Sequence, residues 1–556
     1  MTRVGGARAA GTGLLASAVL IGVITAVARV VGFGRWVVFS ANVGAACVGS
    51  AYSTANVLPN VLFEVVAGGA LAGAVVPLLA GPLSRAMAND PDQAGNSEAA
   101  ERSGRDEVDR IASALLGWVL LVLVPASGLL AALSGPLSRL LVDEKCAGQQ
   151  ALAARMLLVF APQIALYGVG VVLSGILVAH RRFFAPTIAP LLSSLLVIGA
   201  YLRFGATADG AQDAAARLPG AAEAWLAWGT TGGVAVMTLP LLIPLTRLGV
   251  RLRPSLRFPP GVARRGAALA SAGIGALLAQ QAAVLVVVAL SNHSGNAGAL
   301  PVFQYVQAVY LLPYAVLAVP LATSAFPRLA EHGATGDRAG FARTASMSTR
   351  AVAVVTLLGV AVLIAVATPV ARFFADLDQG DVGGMGVALT VMAPGLVGFG
   401  LIAHLGRALY ALERGRNAAI ATVVGWLAVI AGSLLAVHWV AVVTGLAWGN
   451  TIGMTVAGGL LVMALRRAAG PEAVAGLARV LVAGALAAGL AGIVGRQVGV
   501  LSLTALPAGI PGSLLAGALA AVVSAVGFGL ALAVLDRRDL AVVLERLPGR
   551  AKLVAR

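Results

Sequence analysis

Long apolar runs broken by short charged clusters set the pattern of this chain. A helix that crosses the hydrocarbon core of a bilayer needs about 20 mostly apolar residues. Cutting the sequence at its charges and its Gly/Pro clusters leaves fourteen such segments, near 12–35, 46–81, 108–134, 151–179, 184–204, 224–246, 263–291, 302–327, 345–371, 386–411, 417–438, 440–465, 474–496 and 511–535. The pattern predicts an all-α polytopic membrane protein of about 14 transmembrane helices. Residues 13–28, GLLASAVLIGVITAVA, could pass for a secretory signal, but an arginine and a Gly-rich turn follow instead of a cleavage boundary, so they are expected to stay as helix 1. The stretch 82–110 is mixed in charge and rich in small residues, which predicts a mobile loop.

The charges orient these helices. With both termini cytoplasmic, 29 of the 39 Lys and Arg residues fall on inner segments and 8 on outer ones, Arg29 and Arg407 lying within helices. That asymmetry is the positive-inside pattern of a multi-pass cell-membrane protein. Composition agrees: 59% of residues are hydrophobic, only 11% are charged and the mean hydropathy is +0.92, against about a quarter charged in soluble domains. The net charge of +16 would suggest a nucleic-acid partner in a soluble protein. Here the basic residues sit between apolar segments rather than on one face, so topology accounts for them and no nucleic acid is expected. Cys47 and Cys146 are too few for a disulfide framework and lack metal-ligand spacing, which reads them as ordinary small side chains. Both fall in outer segments, so a single bridge stays open.

An internal repeat organises the chain. FAPQIALYGVGVVLSGILVAHRRFFAPTIAPLLSSLLVIG from Phe160 echoes MAPGLVGFGLIAHLGRALYALERGRNAAIATVVGWLAVIAG from Met392. Ala161-Pro162 matches Ala393-Pro394, Gly168 matches Gly400 and Arg181-Arg182 matches Glu413-Arg414, all at an offset of 232. Leu58-Pro59 likewise echoes Leu312-Pro313, and each is followed by a further proline, Pro77 or Pro327. Six helices separate the copies, so orientation is preserved and the repeats should be parallel, related by a pseudo-twofold axis along the membrane normal. The expected division is an N-terminal lobe at 1–246 (helices 1–6), a basic cytoplasmic linker at 247–262, a C-terminal lobe at 263–467 (helices 7–12), and helices 13–14 with a basic tail at 468–556.

Neither an HExxH-like pair nor a phosphate loop is present, and the chain offers no enzyme signal and no cofactor site. What remains is polar residues at membrane depth. A charge at the centre of a spanning helix costs about 2.5–3.5 kcal/mol on insertion scales, so such residues usually face a wet cavity or a partner. If helix 1 ends at 35, Arg29 lies about 9 Å below its outer end, level with Asn56 of helix 2. The planar guanidinium fork suits phosphate oxygens, so Arg29, Arg35, Asn56 and Asn60 are candidate binding residues for an anionic headgroup. Arg35 at the helix end could instead snorkel to the surface. Glu64, deeper still, is a candidate coupling residue that binds and releases protons, or else a permanent structural partner of an arginine. Pro59 and Pro313 are candidate hinges that break helices 2 and 8. Gln280, Gln281, Gln304, Gln307, His404 and Arg407 are read as structural polar residues between helices or near helix ends.

Three stretches, ARVVGFGR at 28–35, AYSTANVLPNVLFEVVAGGALAGAVVPLLA at 51–80 and LPYAVLAVPLATSAFPRLAE at 312–331, resemble the MurJ/MviN lipid II flippase family of the MOP exporter superfamily. The likeness spans helices 1–12 in order, with helices 13–14 matching by position. It implies an alternating-access transporter, not an enzyme, that moves lipid II or a related undecaprenyl-diphosphate glycolipid from the inner to the outer leaflet for peptidoglycan synthesis. It also implies that Arg29 and Arg35, matching the pattern Arg-x-x-Gly-Phe-x-Arg, contact the diphosphate. Implied surroundings are membrane lipids and cell-wall synthesis or divisome proteins, with the chain acting as a monomer. The chain departs from the family at Trp36, Ser50, Phe63 and Glu64, where members often carry other charges, and at Ala308 beside Gln307, where a helix 8 arginine is usual. These departures keep two alternatives open: another MOP-type exporter of polysaccharide-lipids or drugs, or a non-transporting scaffold that binds cell-wall precursors.

Overall fold

The computed structural model describes residues 4–65, 72–87, 94–262, 264, 274–378 and 380–536, and every α-helical, 3-10 or π element among them is helical with no strand. The chain divides into two compact units, Met1–Leu277 and Leu278–Arg556. The first holds α1 (Val4–Asn42), α2 (Cys47–Phe63), α3 (Ala72–Met87), α4 (Ala94–Ala132), α5 (Ser134–Leu141), α6 (Gln149–Phe160), α7 (Gln163–Ala179), α8 (Phe184–Thr207), α9 (Gly220–Thr238) and α10 (Leu242–Arg247). After α11 (Ile274–His293), which crosses the boundary, the second holds α12 (Ala299–Pro313), α13 (Val319–Thr335), α14 (Arg338–Leu377), α15 (Met385–Met392), α16 (Gly395–Ala411), α17 (Gly415–Ala436), α18 (Val442–Ala469), α19 (Leu477–Ala505) and α20 (Ile510–Leu535).

Among the described residues twelve helical stretches are long and apolar enough to cross a membrane, and the pair α15–α16, bent by 45°, makes a thirteenth if it is one span. The segment predicted at 46–81 is seen as α2 and α3 on either side of residues 66–71, which lie outside the described residues. The loop predicted at 82–110 is corrected: α3 runs on to Met87 and α4 begins at Ala94. Its Ala, Glu and Arg residues are strong helix formers, and propensity outweighs the polar composition that suggested a loop.

The repeat recurs as backbone detail in each unit. Ala161-Pro162 separates α6 from α7, and Ala393-Pro394 separates α15 from α16. Proline lacks the N–H that would continue the helix, and a freed carbonyl cannot be left bare in hydrocarbon. A threonine from another helix satisfies it in both places: Thr231 Oγ1 donates to the Val159 carbonyl at 2.9 Å, and Thr451 Oγ1 to the Val391 carbonyl at 2.7 Å. Gly168 meets Val119 and Leu123 of α4, whereas Gly400 meets Val352 and Thr356 of α14, so each glycine admits a neighbouring helix where a Cβ would collide. Arg181 and Glu413 both adopt a left-handed φ of 58°. Each closes its helix with the same turn, Arg182 N–H to Leu177 and Arg414 N–H to Leu409, both at 2.8 Å.

The basic linker is fastened to α4. Ser255 N–H donates to the Ser113 carbonyl at 3.1 Å, Arg253 N–H to Ser113 Oγ at 3.0 Å and Trp118 Nε1 to the Leu256 carbonyl at 3.1 Å. Gly117 makes room for Ser255 at this crossing. In the second unit α19 and α20 pack on the forty-residue α14, and Arg479 near the start of α19 grips Asp536 after α20 with two hydrogen bonds of 2.8 and 3.1 Å.

Candidate functional site

The candidate residues lie on α1, which packs on α8, and on α2, which packs on α6 and α7, with Phe39 of α1 meeting Tyr52 of α2 near the turn that joins the two helices. Predicted to end at 35, helix 1 continues to Asn42, because Trp36, Val37, Val38 and Phe39 carry its apolar run onward and Phe39 and Ser40 are buried. This moves both arginines inward. Arg35 is seven residues short of Asn42, about 10 Å by helical rise, and Arg29 about 20 Å. Helix α2 starts at Cys47, so Asn56 lies about 14 Å and Asn60 about 20 Å from its head. The pairing of levels is therefore corrected: Arg35, not Arg29, is level with Asn56, and Arg29 is level with Asn60.

A hydroxyl and aromatic cluster holds the head of α2. Cys47 to Ala55 are all buried. The Tyr52 hydroxyl shares hydrogen bonds with the Tyr201 hydroxyl of α8 at 2.8 Å and with Thr230 Oγ1 of α9 at 3.0 Å. Rings of Phe39, Phe160 and Tyr201 surround it with centroids 5.6, 5.8 and 6.0 Å away. From Asn56 onward the helix turns half-buried, apart from Pro59 and Val61. The side chains change from core to wall at the level of Arg35.

Arg35 is half-buried and Arg29 exposed. The Arg35 guanidinium carbon is 6.0 Å from the Trp36 ring. Asn60 Nδ2 donates to the Asn56 carbonyl at 2.8 Å, which ties the two asparagines to one another. Phe63 stacks on Tyr167 of α7 with centroids 4.7 Å apart, and Glu64, half-buried, sits on a π turn just past α2. Sequence reasoning missed Tyr52, Tyr167, Tyr201 and Thr230. The available signal was tyrosine within apolar segments of a chain with only 7 tyrosines, since buried hydroxyls need partners.

The hinge candidates share a backbone feature. Pro59 lies inside α2 ahead of the π turn at residues 64–65, and Pro313 ends α12 directly ahead of a π-helical stretch, Tyr314–Ala318. Gln304 and Gln307 are half-buried in α12, where Ala308 offers no charge. His404 is fully buried and its Nε2 lies 2.9 Å from Ser348 Oγ, while Arg407 turns back to the Ala403 carbonyl, so this pair is structural, as expected. No cluster of metal-ligating side chains occurs among the described residues.

One reading is overturned here. Cys47 and Cys146 form a disulfide with Cα atoms 6.3 Å apart, within the usual span of such bridges. It joins the head of α2 to the loop before α6. The same loops are laced by Val48 N–H to Gln212, Gln212 Nε2 to Asn42 and Ala216 N–H to Ala147. Residues 99 apart in sequence are brought together by these loops, and sequence spacing carries no trace of it.

Residues 39–519 match the family described as lipid II flippase MurJ. A probable lipid II flippase MurJ of Rhizobium tropici is 24% identical over 404 residues, 71% of this chain and 70% of the relative. Its counterpart in Rhizobium meliloti (strain 1021) is 25% identical over 368 residues, 65% of this chain and 63% of the relative. Among solved structures, a lipid II flippase MurJ in an inward closed conformation has a TM-score of 0.70 at 18% identity, covering 93% of this chain and 99% of that one. An inward-facing multidrug resistance MATE transporter of the MOP superfamily has a TM-score of 0.62 at 16% identity, covering 80% and 94%. At these identities the structural likeness speaks for the fold.

Proposed function

The chain belongs to the lipid II flippase MurJ family, and on that premise we propose that the wall formed by α1 and α2 binds the diphosphate of lipid II during transfer across the membrane. The protein is a multi-pass membrane transporter with lipid II as its substrate. In the proposed cycle the head group enters from the cytoplasmic side, on which both termini lie. Arg35 and Arg29 hold the diphosphate, and Asn56 and Asn60 add amide hydrogen bonds. Flexing at Pro59 and Pro313 then exposes the head group to the outer leaflet. Glu64 takes up and releases the proton that drives the return. The internal repeat supplies two lobes in one chain, so the cycle runs in a monomer, and cell-wall synthesis or divisome proteins receive the product.

The observation that carries this reading is Arg35, a half-buried guanidinium about two turns inside a spanning helix and 6.0 Å from the Trp36 ring. A charge at such depth is costly without a partner, and its fork fits phosphate oxygens. A cationic-drug exporter would instead present acids, whereas this wall carries two arginines and one acid. The test is leaflet exchange of labelled lipid II in proteoliposomes. Exchange above that of empty vesicles is expected. Its absence would sink the flippase reading, while wild-type exchange by an Arg29→Ala, Arg35→Ala double variant would remove only the diphosphate role.

A further inference from the structure

The second unit holds an apolar groove that the proposed cycle does not use. It has a volume of about 570 Å³ and lies between α14, α16, α18 and α19. Thr455 is the one polar side chain among its lining residues. Pro394, Thr455, Gly459 and Ala485 are exposed, so the groove opens sideways along the helices. All four helices belong to membrane-spanning stretches, which surround the groove with hydrocarbon. Water would find a single polar side chain where it needs two to four partners. At about 30 Å³ per methylene-sized group the volume takes roughly 20 of them, enough for one acyl chain and far short of an undecaprenyl chain.

Helical register places charge at one end of this groove. On α18 the lining residues Gly459 and Val462 lead, seven and four residues on, to Arg466, exposed in the last turn. On α14 the lining residue Leu357 is preceded seven residues earlier by Arg350. Positions seven apart share a helix face. By helical rise Arg350 therefore lies about 10 Å, and Arg466 about 6 Å, beyond the last lining residue of its helix, at the end where α18 gives way to α19. The Arg350 side chain crosses Gly476 there, its Cδ 3.1 Å from where a Cβ would stand.

We propose that the groove and these two arginines form a binding site for one anionic phospholipid, with an acyl chain in the groove and the phosphate at Arg350 and Arg466. Guanidinium–phosphate pairing is strong and directional, and the short apolar slot selects a single chain. The site is lined by residues of the second unit alone and shares none with the α1–α2 proposal, so the two proposals stand or fall separately.

The experiment reconstitutes the full chain in vesicles of equal phosphatidylglycerol and phosphatidylcholine, extracts it gently and counts retained lipids by native mass spectrometry. Wild type should retain one phosphatidylglycerol in preference to phosphatidylcholine. Arg466→Gln should lower that preference roughly fivefold, the size expected for removing one arginine from an anionic lipid. Gly459→Leu, which fills the groove, should reduce retention of both lipids, while Arg416→Gln on α17 should change nothing. Lack of preference in wild type, an equal loss in Arg416→Gln, or capture of an undecaprenyl-linked lipid in place of phosphatidylglycerol would overturn the site.

Discussion

The proline-broken stretches α2 and α12–α13 use one backbone device with different chemistry. In both, a proline precedes a π turn, a local underwinding that loosens the hydrogen-bond ladder and at which helices often kink. Around Pro59 in sequence stand Asn56, Asn60 and Glu64, and α1 carries Arg35. Around Pro313 the neighbours are Gln304, Gln307, Ala308 and the rings of Tyr310, Tyr314 and Phe399. The proline and π turn are thus shared between the two stretches, while the candidate charged residues Arg35 and Glu64 belong to the first.

Substitutions can break that contrast. The largest effect is expected for Arg35→Ala, which removes a charge-assisted contact of about 1.5–3 kcal/mol and should slow lipid II exchange by roughly tenfold to a hundredfold. Gln307→Ala at the opposite stretch should leave the rate within about twofold, and equal losses in the two variants would erase the distinction. Pro59→Ala and Pro313→Ala should each slow exchange several-fold with substrate binding retained; if only one did so, the hinge would be single. Glu64→Gln should abolish the response of exchange to an imposed pH gradient while preserving binding, and a full response would remove Glu64 from coupling.

Two smaller tests address the frame around the contrast. Thiol-reactive maleimide should add to neither Cys47 nor Cys146 until the protein is reduced, and prompt labelling beforehand would show the bridge to be unformed. Asp337 caps α14 by accepting the Gly340 N–H at 2.9 Å, with His332 3.0 Å away. The Gly340 hydrogen bond first, and His332 after it, hold its carboxyl below the usual range. A depressed carboxylate stabilises above its unfolded pKa and loses that contribution as pH falls through the lower folded value. Asp337→Ala should lower the melting temperature slightly at neutral pH, with the difference from wild type vanishing in acid.

Apolar run lengths, the Ala-Pro breaks, the offset of 232 and the arginine pattern of helix 1 were legible along the chain, because hydropathy, proline and glycine act through local backbone chemistry. The sequence by itself thus determined the class, the repeat and the family. Tertiary packing decided where helix 1 ends, and with it which arginine shares a level with Asn56. It also pinned the basic linker to Ser113, joined Cys47 to Cys146 and gathered Phe39, Phe160 and Tyr201 around Tyr52. These outcomes depend on contacts between residues tens to hundreds of positions apart. Only the folded chain can establish such contacts, since burial and hydrogen-bond partners are properties of neighbours in space.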